Sequence, residues 1–558
     1  MARTFTLSRR NLLAGAGMSA LALTLAACGA NERSASGSGA SGAATATAGG
    51  TLRILTSSTD INWDPAKSQS MPMTSLGLVH RRLTTWKLAE GKDAEVVPDL
   101  ATDTGTVSED GLSWTYTLKD GLAFEDGTAI TSAHIKYGLE RTFAASLAGG
   151  LTYHKALLAD AEGYEGPYEG SHLDSIETPD DKTIIFHLKQ AYGDWPWIVA
   201  QPAFSPVPED KDDPSTYART PVASGPYRVA EYSTGVSATL ERNEKWSADT
   251  DDIRLALPDT IVFELSQDES TATQRLIASS GDDANAFGAD LVAAAQLAQV
   301  SGNADAKARL ATTPEGGPLM YLAINTERVS DLEVRTAIAQ AIDKATVVSA
   351  LGGELGAEAA TTIIAPGIPG REDYEGVAAD VEAAKATFAS KDVPSLVLLT
   401  ANSAAYQAVA EAVAQSLTEA GLKVTIDPVE DETYSERASR GDGSTYDLVI
   451  GSWNADFPSA GAYIQPLFAS SEIGNGGYNL GRYSNAEVDA AIEKALGTLD
   501  TADAQAQWVE LDKKIAADVP IVPLANRRNS FLAGSGVTGF SVESYPAYPS
   551  YLTVGVSA

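Results

Sequence analysis

SLVLLTANSAAYQAVAEAVAQSLTEAGLKVTIDPVEDETYSERASRGDGSTYDLVIGSW, residues 395–453, alternates short apolar runs with one long amphipathic segment. Leu396 to Thr400 is an apolar run of strand length. It is followed by Tyr406, Val409, Val413 and Leu417 at spacings of three, four and four, the period of a helix with one buried face, and the pattern stops at Gly421. Leu422, Val424 and Ile426 alternate as a strand, a short helical stretch spans Tyr434 to Ser439, and Tyr446 to Ile450 is a third strand. The order is βαβαβ, half of a doubly wound parallel sheet, and such sheets take ligands just beyond the carboxyl ends of their strands. Arg440-Gly441-Asp442 with Gly443 is a turn into the third strand.

The flanks extend this α/β character on one side only. Ser330-Asp331-Leu332-Glu333 has the form of a capping box, and it opens a helix with Val334, Ile338, Ala341, Ile342 and Ala345 on one face. Leu319 to Ile324 before it is strand-like. From Gly49 to about Val262 the chain is instead a series of short strands and turns, including Thr51 to Leu55, Leu112 to Leu118, Thr183 to Leu188 and Ala238 to Arg242. With 558 residues, against the roughly 250–300 at which single cores stop growing, two or three lobes are expected.

Charge and cysteine content narrow the partners. A net charge of −34 repels phosphate backbones, and no basic cluster with interleaved aromatics offsets it, so nucleic acid is not expected to bind. Arg3, Arg9 and Arg10 precede an uncharged Leu/Ala/Gly-rich stretch from Leu12 to Ala27, the pattern of a secretory leader and too short for a permanent membrane helix. Leu25-Ala26-Ala27-Cys28 resembles the bacterial lipobox, which implies cleavage before Cys28 and a diacylglycerol on its sulfur. Ser8-Arg9-Arg10-Asn11-Leu12-Leu13 is similar to a twin-arginine motif, with Leu12 and Ala14 departing from its commoner residues. Export by the general route stays open beside it. Cys28 is the single cysteine, so no internal disulfide is available. Residues 28–48 then form a Gly/Ser/Ala/Thr tether with an r.m.s. span of about 25 Å.

A second resemblance covers nearly all of 49–558. The run Leu118-Lys119-Asp120-Gly121-Leu122-Ala123-Phe124-Glu125-Asp126-Gly127-Thr128 followed by Ile130-Thr131-Ser132-Ala133-His134-Ile135 is close to the signature of family 5 of the bacterial extracellular solute-binding proteins. Ser224-Gly225-Pro226-Tyr227, Leu240 to Trp246, Tyr321 to Asn325, and Val334 to Ile338 with Ala341-Ile342-Asp343 follow in family order. His134 stands where an acid is commoner, which implies a small loss of helix capping. The resemblance implies an α/β, periplasmic-binding-protein-like two-lobe clamp (type II, cluster C) with an extra subdomain on the first lobe. Lobe one would be 49–312 plus 522–558, with the inserted subdomain at about 81–200, and lobe two 313–521.

The same resemblance implies the function and its residues. The protein would be the extracytoplasmic receptor of an ABC importer, a monomer held at the outer face of the cytoplasmic membrane by lipid on Cys28. It would capture oligopeptides or dipeptides and pass them to a membrane permease driven by a separate ATPase. Trp453-Asn454-Ala455-Asp456-Phe457-Pro458 follows the third strand, at the sheet edge where ligands bind. In peptide-binding members the aspartate of a W-x-A-D-aromatic motif pairs with the ligand's α-ammonium, and Asp456 matches it. Asp456 capping a turn is the structural alternative. Trp453 either walls the pocket or fills the core, Asn454 adjoins both, and Ser58 and Thr59 after the first strand either face the cleft or form a turn.

No chemistry of catalysis or of cofactor binding is legible. The chain has no G-x-S-x-G elbow, no phosphate-binding G-x-x-x-x-G-K-[ST], and no H-E-x-x-H or C-x-x-C, so neither an enzyme, a metal centre nor a cofactor is expected. His80, His134, His154, His172 and His187 lack ligand spacing. Two alternatives remain. One keeps the fold and binds an oligosaccharide or metal chelate, for which aromatic platforms rather than an ammonium clamp would be used. The other is an exported hydrolase, which requires a convergent acid–base pair.

Overall fold

Leu396–Ala401 pairs in parallel with Val424–Val429 on one side and with Leu448–Trp453 on the other. Helix Ala404–Glu419 makes the first crossover and buries Val409, Val413 and Leu417. It ends where Gly421 turns to φ +86°, a left-handed conformation that costs glycine nothing. The second crossover is a single α turn, Asp431–Ser435, running into a π turn, Glu436–Arg440. The expected βαβαβ unit is present in this computed structural model, which describes residues 48–67, 76–89, 92, 94–292 and 294–557. The leader, Cys28 and the tether up to residue 47 lie outside the described residues.

Two features differ from the sequence reading. The sheet is mixed rather than purely parallel: six strands in the order 357–359, 521–527, 319–324, 448–453, 396–401, 424–429, with Leu319–Ile324 antiparallel to both neighbours. That strand is buried along its whole length, so its unbroken apolar run carries no sign of direction. The third strand also begins at Leu448 rather than Tyr446 and continues to Trp453. Tyr446 is fully buried, but its hydroxyl donates to Leu480 O at 3.1 Å and it lies outside the ladder.

Alternation along these strands makes two cores. Met320, Leu322, Ile324, Leu398, Leu448 and Ile450 pack on helices through Ile338, Val409 and Val413. Leu319, Tyr321, Ala323, Leu399 and Val449 face the other way, into one continuous cluster with Tyr116, Phe186 and Phe204 from earlier in the chain. The helix expected after Ser330 is capped one residue later than read: Asp331 accepts from Glu333 N at 2.9 Å and the helix is Leu332–Ala341. Ala345 belongs to a separate helix, Lys344–Ala350, capped by Asp343.

A second sheet has the order 286–288, 51–55, 260–264, 237–242, 227–233, with Thr51–Leu55 parallel to both neighbours. A four-stranded antiparallel sheet (106–107, 113–117, 183–187, 176–177) and helix Ser132–Glu140 fill much of 100–190. Here His134 keeps the cap that an acid would give, because its Nδ1 accepts from Thr131 N at 3.0 Å and completes a capping box. Burial lowers the His134 pKa, which favours the neutral ring that this acceptor role needs. The expected loss of capping is therefore not seen.

The chain passes between the two large sheets twice. Leu310–Thr312 and Ser530–Leu532 run side by side as an antiparallel pair, and the ladder continues through Thr313 N to Asn529 O at 3.0 Å and Gly317 N to Arg527 O at 2.7 Å. Ile521–Arg527 belongs to the six-stranded sheet, although the sequence reading returns the chain to the first lobe from 522. Its buried Val522, Leu524 and Ala525 pack into the helix-side core.

Without disulfides, buried ion pairs tie distant segments together. Asp99 accepts from Arg81 Nε at 2.7 Å and from Arg254 Nη2 at 2.7 Å, while Asp251 accepts from Arg254 Nη1 at 3.1 Å. Arg141 grips Asp64 with both Nη atoms, at 2.6 and 3.0 Å, and donates to Asp212 at 2.7 Å. These side chains are almost wholly out of water.

Candidate functional site

Beyond Trp453 the chain leaves the six-stranded sheet at its carboxyl edge, and residues 453–456 lie together there. Trp453 is half-buried. Its Nε1 donates to Ala462 O at 2.8 Å, and its ring sits 4.7 Å from that of Tyr478, tilted by 60°. One edge of the indole is thus fixed by the following helix, Gly461–Phe468, while the other packs on a tyrosine that is 50% exposed. Trp453 is therefore packed from both sides. Asn454 Nδ2 reaches Pro546 O at 3.4 Å.

Asp456 is half-buried, and its Oδ2 accepts from Tyr153 Oη at 2.7 Å. Among the described residues no Lys, Arg or His forms an ion pair with it. Burial pushes its carboxyl above the usual range, against the smaller opposing effect of the Tyr153 bond. The Tyr153 hydroxyl is raised in turn, by burial and then by the Asp456 charge, and burial with the same charge raises Tyr545. Tyr153 packs edge-on against Phe457, ring centres 5.3 Å apart, and Tyr545 packs against Trp86 at 6.3 Å. The result, among the described residues, is a carboxylate with one neutral donor inside an aromatic enclosure, a costly arrangement without a counter-charge.

A further contact lies three residues on. Ser459 Oγ donates to Asp194 Oδ2 at 2.6 Å, and Gly193 N donates to Leu496 O at 2.8 Å. Beside the Asn454–Pro546 contact, a cavity of about 220 Å³ is lined by Trp86, Leu88, Leu255, Pro546, Tyr548 and Leu552 among others. It does not contain Asp456 and is largely apolar.

Ser58 and Thr59 engage their own surroundings. Ser58 Oγ donates to Asp60 O at 2.6 Å, and the carbonyls of Ser58 and Thr59 accept from Ser266 N and Gly235 N. These bonds form a turn against the 227–242 hairpin, none of them running to 453–456. Sequence reasoning missed Tyr153, Tyr545 and Asp194. The density of aromatics in Tyr545, Tyr548 and Tyr551 is visible in the chain, but Tyr153 is separated from Asp456 by 303 positions and stands in no motif.

Two large sheets joined by paired crossings, with polar groups gathered at a sheet edge, define the two-lobe clamp of periplasmic peptide-binding protein structures. The structure titled "Clavulanic acid biosynthesis oligopeptide binding protein 2" superposes with a TM-score of 0.84 at 30% identity, covering 92% of this chain and 97% of that one. The chain belongs to the bacterial extracellular solute-binding proteins, family 5, whose "Middle" profile matches residues 95–475. It is similar to the "Probable D,D-dipeptide-binding periplasmic protein DdpA" of Escherichia coli (strain K12), 25% identical over 480 residues, 83% of this chain and 85% of the relative. It is also similar to the "Glutathione-binding protein GsiB" of Salmonella paratyphi A (strain ATCC 9150 / SARB42), 26% identical over 460 residues, 78% of this chain and 81% of the relative.

Proposed function

We propose that this protein is the lipid-anchored, extracytoplasmic receptor of an ABC importer, that it captures short peptides, and that Asp456 receives the ligand's α-ammonium. The observation that carries the reading is the Asp456 carboxylate, raised by burial and held, among the described residues, by a tyrosine hydroxyl at the carboxyl edge of a strand. An arriving ammonium supplies the missing charge, and a hydrogen bond of that kind contributes about 1.5–3 kcal/mol net. The relatives whose names specify a dipeptide, glutathione or an oligopeptide support the same ligand class. The ligand drives closure only through its greater affinity for the closed state, and no chemical step is required.

Calorimetry with trialanine and N-acetyl-trialanine tests this. Trialanine is expected to bind, and acetylation, which removes the positive charge, is expected to weaken binding at least about tenfold by the lower bound of a charge-assisted bond. Equal affinity for both peptides overturns the role of Asp456. The Trp453–Tyr478 pair favours a second reading, a sugar or chelate stacked on aromatic faces. Binding of an oligosaccharide without binding of trialanine would establish it.

The anchor belongs to the same proposal. A diacyl chain on Cys28 with a tether of about 25 Å confines the receptor near its permease and raises its effective concentration there. Cys28→Ser is expected to leave affinity in solution unchanged and to lower uptake by cells. Undiminished uptake would show that the anchor only retains the protein.

A further inference from the structure

Asp194 is a second carboxylate held largely out of water besides Asp456. Asp194 precedes the short helix Trp195–Ile198, and its Oδ2 accepts the Ser459 hydroxyl. Asp194 comes from the region read as the subdomain of the first lobe, and Ser459 from the loop that carries Asp456. The backbones meet closely here. A Cβ on Gly193 would lie 2.1 Å from Thr498 O, and a Cβ on Gly461 would lie 3.1 Å from Asp194 Oδ2 and 3.0 Å from the Trp508 ring. Gly193 therefore permits an approach that a side chain would block, Gly461 leaves room that a side chain would crowd, and the Asp194 carboxylate sits between them.

No charge compensates it there. The polar and titratable side chains near its carboxylate are Tyr192 on its own segment, Ser459 on the facing loop and Trp508 on helix Thr501–Asp518, all neutral. Glu493 and Lys494 on the adjoining helix Ala486–Leu496 are exposed. On Thr501–Asp518, Asp512 accepts from Tyr374, and Lys513 pairs with Glu372 and Glu510. Among the described residues no cation forms an ion pair with Asp194. Burial pushes its carboxyl up to about 6, and the Ser459 bond opposes that rise.

We propose that closing the cleft takes up a proton at Asp194, so that acidification favours the closed, ligand-retaining form and deprotonation favours opening. This rests on the hinged-receptor reading above and adds its regulation. The sign follows from linkage. With Asp194 in water at its ordinary value of 3.8 and in the closed contact at about 6, the closed form holds a proton that the open form has lost. The gain is complete below the ordinary carboxylate value and disappears as pH rises through about 6. Two pK units set a ceiling on the order of 100-fold in the closing equilibrium, and the part of Asp194 that stays in contact with solvent lowers it.

Small-angle scattering of the ligand-free full-length protein between pH 4.5 and pH 8 reads the closing equilibrium directly. The radius of gyration is expected to fall as the solution is acidified through about pH 6. Asp194→Asn is expected to lose the part of the transition near pH 6 and to be more compact than wild type above it, and Ser459→Ala, which removes the bond favouring the charged form, to move the transition to higher pH. Asp456→Asn is expected to keep a transition, which separates the two carboxyls. A wild-type radius that does not change with pH, or an Asp194→Asn transition matching wild type, overturns the proposal. Trialanine calorimetry run in parallel separates the two failures: no heat at any pH counts against the peptide reading, while the scattering still decides proton-linked closure.

Discussion

Asparagine in place of Asp456 is expected to lower affinity for trialanine by roughly two to three and a half orders of magnitude while leaving the empty protein at least as stable as before. The two effects have one cause. In the occupied site the substitution leaves the ligand's ammonium without a counter-charge in a closed, aromatic enclosure, and breaking such a pair costs about 3–5 kcal/mol. In the empty site the carboxylate is itself the uncompensated charge, raised by burial and satisfied only by Tyr153. Its folded-state pKa is raised, so the stabilising form is the protonated one, and that contribution is lost as pH rises through the folded pKa. Asparagine stays neutral and removes the penalty at neutral pH. Calorimetry and thermal melts at pH 7.5 check both halves. Lost affinity with an equal loss of melting temperature would indicate a structural role for Asp456 instead.

Asp99→Ala is expected to be the most damaging single change to stability. It strips Arg81 and Arg254 of a shared carboxylate that accepts from both, and among the described residues it leaves Asp251 as the one carboxylate paired with two buried guanidiniums. The cost expected for an uncompensated buried charge is about 3–5 kcal/mol, and urea denaturation monitored by tryptophan fluorescence measures it. Burial alone would raise the Asp99 pKa, but Arg254 and Arg81 overcome it and hold the carboxyl well below its usual range. A depressed folded pKa means that the stabilisation is present above the ordinary carboxylate value and fades only in strong acid. Wild type is therefore expected to keep this contribution at pH 4.5. A variant that matches wild type in urea would show that the network is dispensable.

The parts of the fold legible in the sequence are those whose signal is local. The helix through Val409, Val413 and Leu417 and the strand from Leu396 were readable because burial on one face imposes a period on neighbouring residues. Strand direction was not. Leu319–Ile324 is apolar throughout because it is central, and the same run would suit a parallel or an antiparallel neighbour. The site divides in the same way. Trp453, Asn454 and Asp456 form one contiguous segment that a motif marks, whereas Tyr153 reaches Asp456, and Asp194 reaches Ser459, from positions hundreds of residues away. At Ser58 a turn forms, because a serine two residues before Asp60 satisfies that backbone carbonyl locally. His134 shows the reverse error: its departure from the expected acid was visible, but not that an imidazole nitrogen accepts the same backbone hydrogen.

The antiparallel pair Leu310–Thr312 and Ser530–Leu532 sets what kind of movement the halves can make. A single connecting strand would act as a swivel, free to twist, tilt and slide. Two strands hydrogen-bonded side by side resist sliding, because each would have to break its ladder to move past the other, yet they bend together across their common width. The motion left to the molecule is that of a door on two pins, one angle of swing with little play. In the proposed closure, that restriction would bring the segment bearing Tyr153 and Asp194 to the loop bearing Asp456 and Ser459 in the same register on each swing, without a search over orientations.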